Sequence, residues 1–340
     1  MAIKTIEELK NYVKISEKEE NWNPKGQNTL PLLISDNIIP LLKYDAIRTQ
    51  FVPTCEENID SIGTLDPQLE ENYTPCNRLV HRYENRAAFL TTDICFAYCR
   101  HCFRRRFSGS MQGPASEKEI KNTASYLKEH LEIKEVLLTG GDMFTLSDSQ
   151  LDSMLTILKE AREDIIYRLC TRALLSNPDR FTDKLFSVIE KNNHGAPFYL
   201  MTQFNHQDEI TEKAEIVLSR FAHMGIPMMN QCVLLKGVND SVEEQVALCN
   251  KLLINRVKPY YLFQGDLVKG TRHMRVSITK GLEIEREMRK KLSGLAMPNY
   301  TIDLPQGGGK VPLSGDYKLK LEDGIWTIKT PDGTIRHYPD

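Results

Sequence analysis

Six short apolar runs, each with the length and composition of a buried strand, alternate along the chain with segments of helical periodicity. Repeated alternation of strand and helix predicts an α/β fold with a parallel sheet and crossover helices. Six such units are fewer than the eight of a closed barrel, so we expect an open, partial β/α barrel, with a doubly wound sheet as the alternative. The runs are 87–92, 135–139, 165–171, 197–203, 228–235 and 259–264.

Capping-box spacing marks the start of several intervening helices. A serine followed three residues later by Glu or Gln can satisfy the free backbone N–H groups of a first helical turn. We therefore expect helices to begin at three serines that have this spacing. The pairs are Ser116 with Glu119, Ser147 with Gln150, and Ser241 with Glu244.

The two ends of the chain differ from this alternating region. Residues 1–80 are repeatedly interrupted by proline, which predicts a mostly helical and irregular extension. Residues 317–338 alternate polar and apolar positions around two Asp-Gly pairs, at 323–324 and 332–333, which predicts a small β-meander. We divide the chain accordingly into an extension (1–80), a partial barrel (81–297) and a C-terminal segment (298–340).

Composition limits the environment and the partners of the chain. Its 44 basic and 46 acidic residues give a net charge of −2, which offers no strong field for nucleic acid or a membrane surface. No apolar run reaches the roughly 20 residues of a membrane span, and the charged N-terminus lacks the apolar core of a signal peptide. Its eight cysteines are too sparse for a secreted disulfide scaffold. We expect a soluble, cytoplasmic protein without nucleic-acid or membrane partners.

Three cysteines follow the first predicted strand with the spacing C-x3-C-x2-C, at Cys95, Cys99 and Cys102. Three close thiolates at the end of a strand suit a four-iron cluster, in which one iron has no protein ligand and can bind a small molecule. Structural zinc usually takes four ligands in two separated pairs, and no second C-x2-C follows in the sequence. Spacing alone leaves the cluster, a zinc site and unrelated thiols open, with the cluster favoured.

The residues around these cysteines carry a resemblance to a known family. The stretch LVHRYENRAAFLTTDICFAYCRHCFRRRFSG resembles the lysine 2,3-aminomutases, and the resemblance continues in order through LLTGGD, NQCVLLKGVND, KPYYLFQGDLVKGTRH and DLPQGGGKVP. It implies a radical S-adenosylmethionine (SAM) isomerase with a [4Fe–4S] cluster, SAM and pyridoxal phosphate (PLP). It also implies movement of an α-amino group to the β-carbon, most simply from L-lysine to β-lysine.

The resemblance assigns cofactor roles to individual residues. Gly140, Gly141 and Asp142 match the family segment next to the SAM amino group. Lys310, at the end of QGGGK, matches the lysine that forms a Schiff base with PLP, a recognised role for an activated amine. The implied phosphate and ring contacts of PLP are Arg82, Tyr83 and Arg86. Guanidinium groups suit this role because their fork donates two parallel hydrogen bonds to a phosphate.

The same resemblance places the substrate. Arg104 matches the residue that binds the substrate carboxylate, and Asp266 and Asp303 match the two carboxylates that receive the side-chain ammonium of lysine. It further implies an external reductant such as flavodoxin or ferredoxin, and leaves a homo-oligomer open. The alternatives are an aminomutase for another amino acid, a compact relative that acts on lysine to modify elongation factor P, and a zinc-stabilised binding protein without enzyme activity.

Overall fold

The computed structural model describes residues 2–26, 29–59, 62–315, 318–331 and 333–339. Within these ranges one mixed sheet contains nine strands, β1 (Leu79–Tyr83), β2 (Arg86–Thr92), β3 (Glu135–Gly140), β4 (Ile166–Thr171), β5 (Tyr199–Thr202), β6 (Met228–Leu234), β7 (Val257–Gln264), β8 (Asn299–Leu304) and β9 (Gly309–Pro312). Strands β2 to β8 run parallel, whereas β1 and β9 pair antiparallel at the two edges.

The order of the strands explains the architecture of the sheet. A doubly wound sheet reverses its strand order at a switch point, so that helices cover both faces. Here the order follows the chain throughout, and right-handed crossovers therefore place the connecting helices on one face. Strands β1 and β9 remain edge strands in the described sheet, so it does not close. The predicted open, partial β/α barrel is confirmed.

The six predicted apolar runs correspond to β2 through β7, and these six strands are confirmed. The structure adds β8 as a further parallel strand beside β7. Its sequence, NYTIDL, contains only two buried residues, Tyr300 and Thr301, so no apolar run marks it. The edge strands β1 and β9 are equally inconspicuous because both carry polar residues of the cavity described below.

The described residues include ten α-helices, α1 (Ile6–Leu9), α2 (Glu17–Glu20), α3 (Asp45–Phe51), α4 (Glu117–Glu129), α5 (Asp148–Ala161), α6 (Ala173–Ser176), α7 (Asp183–Asn192), α8 (Glu212–His223), α9 (Val242–Ile254) and α10 (Ile278–Lys291). The three predicted helix starts are confirmed. Ser116 and Ser147 form complete capping boxes. At Ser241 the hydroxyl accepts the Glu244 backbone N–H at 3.2 Å and donates to the Glu244 carboxylate at 2.9 Å.

Across the part of the chain that the structure describes, no helix combines the length and the apolar character needed to cross a bilayer.

Apolar side chains from distant parts of the chain fill one buried core. Leu138 and Leu169 on neighbouring parallel strands are fully buried there, and Leu155 of α5 packs into the same cluster. Ile34 and Phe51 from the N-terminal segment belong to this cluster as well. The hydrophobic effect therefore holds the N-terminal segment against the barrel. The division of the chain at residues 80 and 297 stays a prediction.

A buried carboxylate, Glu57, fixes the N-terminal segment to the loop that carries the three cysteines. Its oxygens accept from Arg100 at 2.6 and 2.7 Å and from Arg105 at 2.7 Å. Arg100 also donates to the Leu30 and Pro31 carbonyls, both at 2.9 Å. Burial alone would raise the pKa of Glu57, but the two guanidinium groups outweigh it and lower the pKa below its ordinary value. The carboxylate therefore stays charged.

The other arginines of the cysteine loop pair with the same N-terminal segment. Arg106 contacts Asp66 at 2.8 Å and Glu71 at 2.9 Å. Arg104 is held by Glu70 at 2.7 Å. The run of positive charge that follows the cysteines in sequence is thus matched by carboxylates between residues 57 and 71.

The last three strands, β10 (Lys318–Glu322), β11 (Ile325–Lys329) and β12 (Ile335–Pro339), form a separate antiparallel sheet. Asp323 and Gly324 connect the first two strands with φ angles of 48° and 71°, as a type I′ turn requires. The predicted β-meander is confirmed. Asp332, in the second predicted turn, lies outside the described residues.

We predict that Glu57→Gln destabilises the folded chain by about 3–5 kcal/mol, because it leaves two buried guanidinium groups without their shared carboxylate. Thermal unfolding of the anaerobic protein, followed by circular dichroism, should show a lower midpoint. Glu56→Gln is a matched control, since Glu56 is 40% exposed and contacts Lys18 at 3.2 Å, and we expect little change. Equal midpoints for the two variants would contradict the role given to Glu57.

Candidate functional site

A cavity of about 470 Å³ lies at the carboxyl ends of the parallel strands, where ligands bind in open α/β sheets. All the residues that the sequence singled out for a site line this one cavity. They are Arg82, Tyr83, Arg86, Cys95, Cys99, Cys102, Arg104, Gly140, Gly141, Asp142, Asp266, Asp303 and Lys310. Residues from both edge strands and from the first two parallel strands are thereby brought together.

The cysteine loop follows β2 and presents its thiols to the cavity. Cys99 Sγ accepts a hydrogen bond from Arg172 Nη1 at 2.8 Å, and Cys102 Sγ lies 3.7 Å from Ser108 Oγ. Burial raises the pKa of the Cys95 and Cys99 thiols. A buried thiol of this kind is held as a thiolate by a metal, which deprotonates its sulfur ligands. Three thiols on one loop therefore suit an iron–sulfur cluster.

Asp93, two residues before the first cysteine, shapes this loop and was missed by the sequence analysis. Its carboxylate accepts from the backbone N–H groups of Gln112 at 3.0 Å and Gly113 at 2.8 Å, and from Ser110 Oγ at 3.1 Å. These bonds fold the chain back after the arginine run. No sequence signal distinguishes Asp93 from an ordinary loop aspartate.

The Gly140-Gly141-Asp142 segment ends β3 in direct contact with the cysteine loop. Gly140 has a φ of 108°, and a Cβ atom on Gly141 would overlap with the Ile94 carbonyl oxygen. The backbone N–H of Asp142 donates to that oxygen at 2.8 Å. Glycine is required here because the two backbones approach so closely.

The Asp142 side chain points along the strand ends. Its carboxylate accepts from the Thr171 hydroxyl at 2.8 Å and from the Arg172 backbone N–H at 2.8 Å. Burial raises the pKa of Asp142, although these hydrogen bonds act in the opposite direction. Asp142 therefore ties the carboxyl ends of β3 and β4 together beside the cysteines.

Arg172 links the cysteine loop to the next strand ends. Besides Cys99 it donates to Glu209 at 2.8 Å and to the Gln203 carbonyl at 3.1 Å. Burial would lower the pKa of Arg172, but the charges of Cys99 and Glu209 raise it, so the guanidinium stays charged. It supplies positive charge next to the Cys99 thiol.

Lys310 and Asp303 face each other across the antiparallel pair of β8 and β9. They are directly opposite in the strand register, and the Lys310 ammonium forms an ion pair with the Asp303 carboxylate. Lys310 Nζ also lies 5.6 Å from the ring centre of Tyr83 and 5.5 Å from that of Phe263. The amine is thus held between a carboxylate and two aromatic faces.

The β1–β2 hairpin lines one side of the cavity with two arginines and a tyrosine. The Arg86 guanidinium lies 3.9 Å from the ring centre of Tyr83, and Arg82 contacts Asp303 at 3.2 Å. Nε and Nη2 of Arg82 and the hydroxyl of Tyr83 are buried without a hydrogen-bond partner among the described residues. Buried donors of this kind call for an acceptor, and a phosphate group supplies several. The residues present therefore fit PLP.

Asp266 lies in the loop after β7 and faces a residue that the sequence analysis missed, Gln68. The Gln68 amide donates to Asp266 at 2.7 Å and accepts from Arg82 at 2.6 Å. Burial raises the pKa of Asp266 to about 6, so the carboxylate is charged at neutral pH. Gln68 therefore links Asp266, the candidate contact for the substrate side chain, to Arg82, the candidate contact for the PLP phosphate.

Arg104 points into the cavity but is held by Glu70. Two of its nitrogens donate to this carboxylate at 2.7 and 2.9 Å, and a third donates to the Thr139 hydroxyl at 3.2 Å. Such a bidentate pair fixes the plane of the guanidinium. The role of Arg104 toward a substrate carboxylate stays a prediction, and Glu70 is its positioning partner in this structure.

Comparison with known proteins identifies the family. No protein-family model matches the chain. A relative from Aquifex aeolicus is 39% identical over 99% of this chain and 92% of its own length. An L-lysine 2,3-aminomutase from Fusobacterium nucleatum is 35% identical over 99% of this chain and 80% of its own. A glutamate 2,3-aminomutase from Clostridioides difficile is also 35% identical, over 99% of this chain and 80% of its own.

Among solved structures, a radical SAM methyltransferase from Sphaerobacter thermophilus superposes with a TM-score of 0.48 at 13% identity, covering 66% of this chain and 68% of that chain. The family assignment rests on the sequence relatives, which align along almost the whole chain. The chain belongs to the lysine 2,3-aminomutase family and is an isomerase.

Proposed function

We propose that the chain converts L-lysine to β-lysine by moving the α-amino group to the β-carbon. The observation that carries this proposal is the placement of two carboxylates, Asp266 and Asp303, beside Lys310 in a cavity that also contains the three thiols. A lysine substrate brings a second ammonium group, and burial of that charge needs a carboxylate partner.

Cys95, Cys99 and Cys102 would hold the cluster, with Gly140, Gly141 and Asp142 beside the bound SAM. When bound there, the cluster and SAM would supply the radical chemistry of hydrogen-atom removal. The protein provides orientation and exclusion of water. Arg172 would keep positive charge beside the Cys99 ligand, and an external reductant such as flavodoxin or ferredoxin would deliver the electron.

Lys310 would hold PLP, and the cofactor would supply electron delocalisation to the migrating nitrogen. Arg82 and Arg86 would receive the phosphate, because Arg82 has two buried donors without a partner in the described residues. Tyr83 would pack against the cofactor ring. When the Lys310 amine is engaged by the cofactor, Asp303 would keep Arg82 at 3.2 Å on Oδ1, and Oδ2 would become available to another ammonium group.

Lysine is favoured over glutamate by the charges at this end of the cavity. Asp266 is paired with the neutral amide of Gln68, which does not compensate its negative charge. An anionic side chain would be repelled by Asp266 and Asp303, whereas an ammonium group would be attracted. A relative that is a glutamate 2,3-aminomutase makes glutamate the competing substrate to test.

The N-terminal segment would close this cavity from water. Thr64 forms a bridge with Val268, in the loop that carries Asp266, and the Gln306 backbone N–H donates to the Pro67 carbonyl at 3.0 Å. The segment therefore contacts both loops that bear the proposed substrate carboxylates and the cofactor lysine. Exclusion of water strengthens charge pairing and protects reactive intermediates.

The first prediction concerns the cluster. Anaerobically purified protein should be brown and contain about four iron atoms per chain, as three-thiolate ligation of a four-iron cluster implies. Cys99→Ala should lose this iron, whereas Cys55→Ala, which alters a thiol outside the cavity, should retain it. Colourless folded protein with zinc in place of iron at these cysteines would contradict the proposal.

The second prediction concerns Lys310. Borohydride should reduce the carbon–nitrogen double bond and leave PLP covalently attached to this residue, which peptide mass spectrometry can locate. Lys310→Gln should abolish the label. Lys213→Gln is the control, because Lys213 is exposed and pairs with Asp179, and it should be labelled like the parent. A label on any other lysine would exclude the assignment.

The third prediction concerns substrate choice. Asp266→Asn and Asp303→Asn should each weaken lysine binding by about 30-fold or more, because truncating one partner of a buried charge pair costs roughly 2–5 kcal/mol. Asp179→Asn, on the surface, is the matched control and should bind lysine like the parent. Iron content should stay unchanged in all three variants.

Isotope-labelled lysine and glutamate, followed by separation of β-amino products, measure turnover for both amino acids. If Asp266→Asn and Asp303→Asn both turn lysine over like the parent, these aspartates do not bind the side chain of the substrate. β-Glutamate as the preferred product would overturn the lysine assignment while leaving the reaction class intact.

A further inference from the structure

A second cluster of metal-ligating side chains lies outside the cavity, on the outer face of the sheet edge. It consists of His81 on β1, His130 directly after α4, and Glu132 two residues later, and we call it the His81 cluster. One ligand atom from each residue lies within 4.8 Å of the other two. None of the three lines the cavity that contains the cysteines.

Neighbouring contacts hold these side chains together. The His130 ring stacks on Tyr126 with 3.8 Å between ring centres, and the Tyr126 hydroxyl lies 2.9 Å from His81 Nδ1. His130 Nδ1 lies 2.7 Å from the Glu132 carboxylate. Tyr126 thus contacts both imidazoles, as residues around a metal ligand commonly do. His81 Nε2 also lies 3.2 Å from the Glu84 carbonyl oxygen, and coordination through this nitrogen would replace that contact.

We propose that the His81 cluster binds a divalent transition-metal ion of the zinc class. Two imidazoles and one carboxylate form a typical donor set for Zn²⁺, with metal–ligand distances of about 2.0–2.2 Å and water as a fourth ligand. The donor atoms must approach one another for such coordination, and His130 and Glu132 can do so because their side chains are 34% and 41% exposed. Mg²⁺ and Ca²⁺ fit less well because they prefer all-oxygen ligands.

The position of the His81 cluster means that a bound ion would hold the edge strand β1 in place. Within the described part of the chain, strand β1 pairs in the sheet only with β2, and their register is irregular between Val80 and Tyr83, where His81 lies. Successive residues of a strand point to opposite faces, so His81 contacts Tyr126 outside while Arg82 contacts Gln68 and Asp303 inside. An ion on the His81 cluster would therefore link β1 to the end of α4. Strand β1 is the strand that carries Arg82 and Tyr83 into the cavity.

Equilibrium dialysis of the anaerobic holoenzyme against micromolar zinc chloride tests this site. Zinc and iron are then counted in the same samples by mass spectrometry. We expect about one zinc per chain beyond any bound at the iron site, as one three-ligand site implies. His130→Gln and Glu132→Gln should lose most of this zinc and keep their iron, because neither residue lies in the cavity.

His223→Gln is the matched control, since His223 is an exposed histidine at the end of α8 whose ring contacts Ser219, one turn earlier in the same helix. It should bind zinc like the parent. Zinc should also raise the unfolding midpoint of the parent and of this control, but not that of His130→Gln, because a ligand that binds only the folded state stabilises it.

Absence of zinc uptake by the parent would overturn the proposal, as would full uptake by both His130→Gln and Glu132→Gln. Zinc uptake that occurs only as iron is lost would assign the zinc to the cysteines and would equally overturn the proposal. The result is independent of the proposed lysine reaction, because the assay measures metal content and stability rather than turnover.

Discussion

The shared carboxylate of Glu57 is the interaction on which the arrangement of the site depends. Two guanidinium groups from the cysteine loop meet on it, and removal of this buried carboxylate would leave both without their shared partner. Through Arg100 the same contact reaches the backbone at Leu30 and Pro31. The loop that carries the three cysteines therefore connects the N-terminal segment to the barrel.

This connection explains why residues from distant parts of the chain line one cavity. The N-terminal segment brings Gln68 to Asp266 and Glu70 to Arg104, while the hairpin of β8 and β9 brings Asp303 to Lys310. Asp266, Arg104 and Lys310 are thereby each oriented by a second polar group. Such support fixes the side chains before a ligand arrives and reduces the entropy lost on binding.

The sequence predicted the architecture wherever burial leaves a pattern. Strands β2 to β7 appear as apolar runs, whereas β8 and β9 carry Asp303 and Lys310 into the cavity and so lack such a run. Motif resemblance predicted the residues around the cavity, but not Glu57 or Gln68. These lie in an irregular segment without periodicity, and Glu57 is 43 residues from Arg100 in the chain. Pairing over that separation leaves no signal in one sequence.

The antiparallel register of β8 and β9 has a consequence for the length of the glycine-rich turn between them. Asp303 and Lys310 are cross-strand neighbours on one face, and the turn from 305 to 308 sets that alignment. Because side chains alternate between faces, lengthening the turn by one residue without a compensating bulge would move the lysine to the far side of the sheet. The number of residues in the turn, more than its flexibility, therefore determines whether the Lys310 amine faces the Asp303 carboxylate.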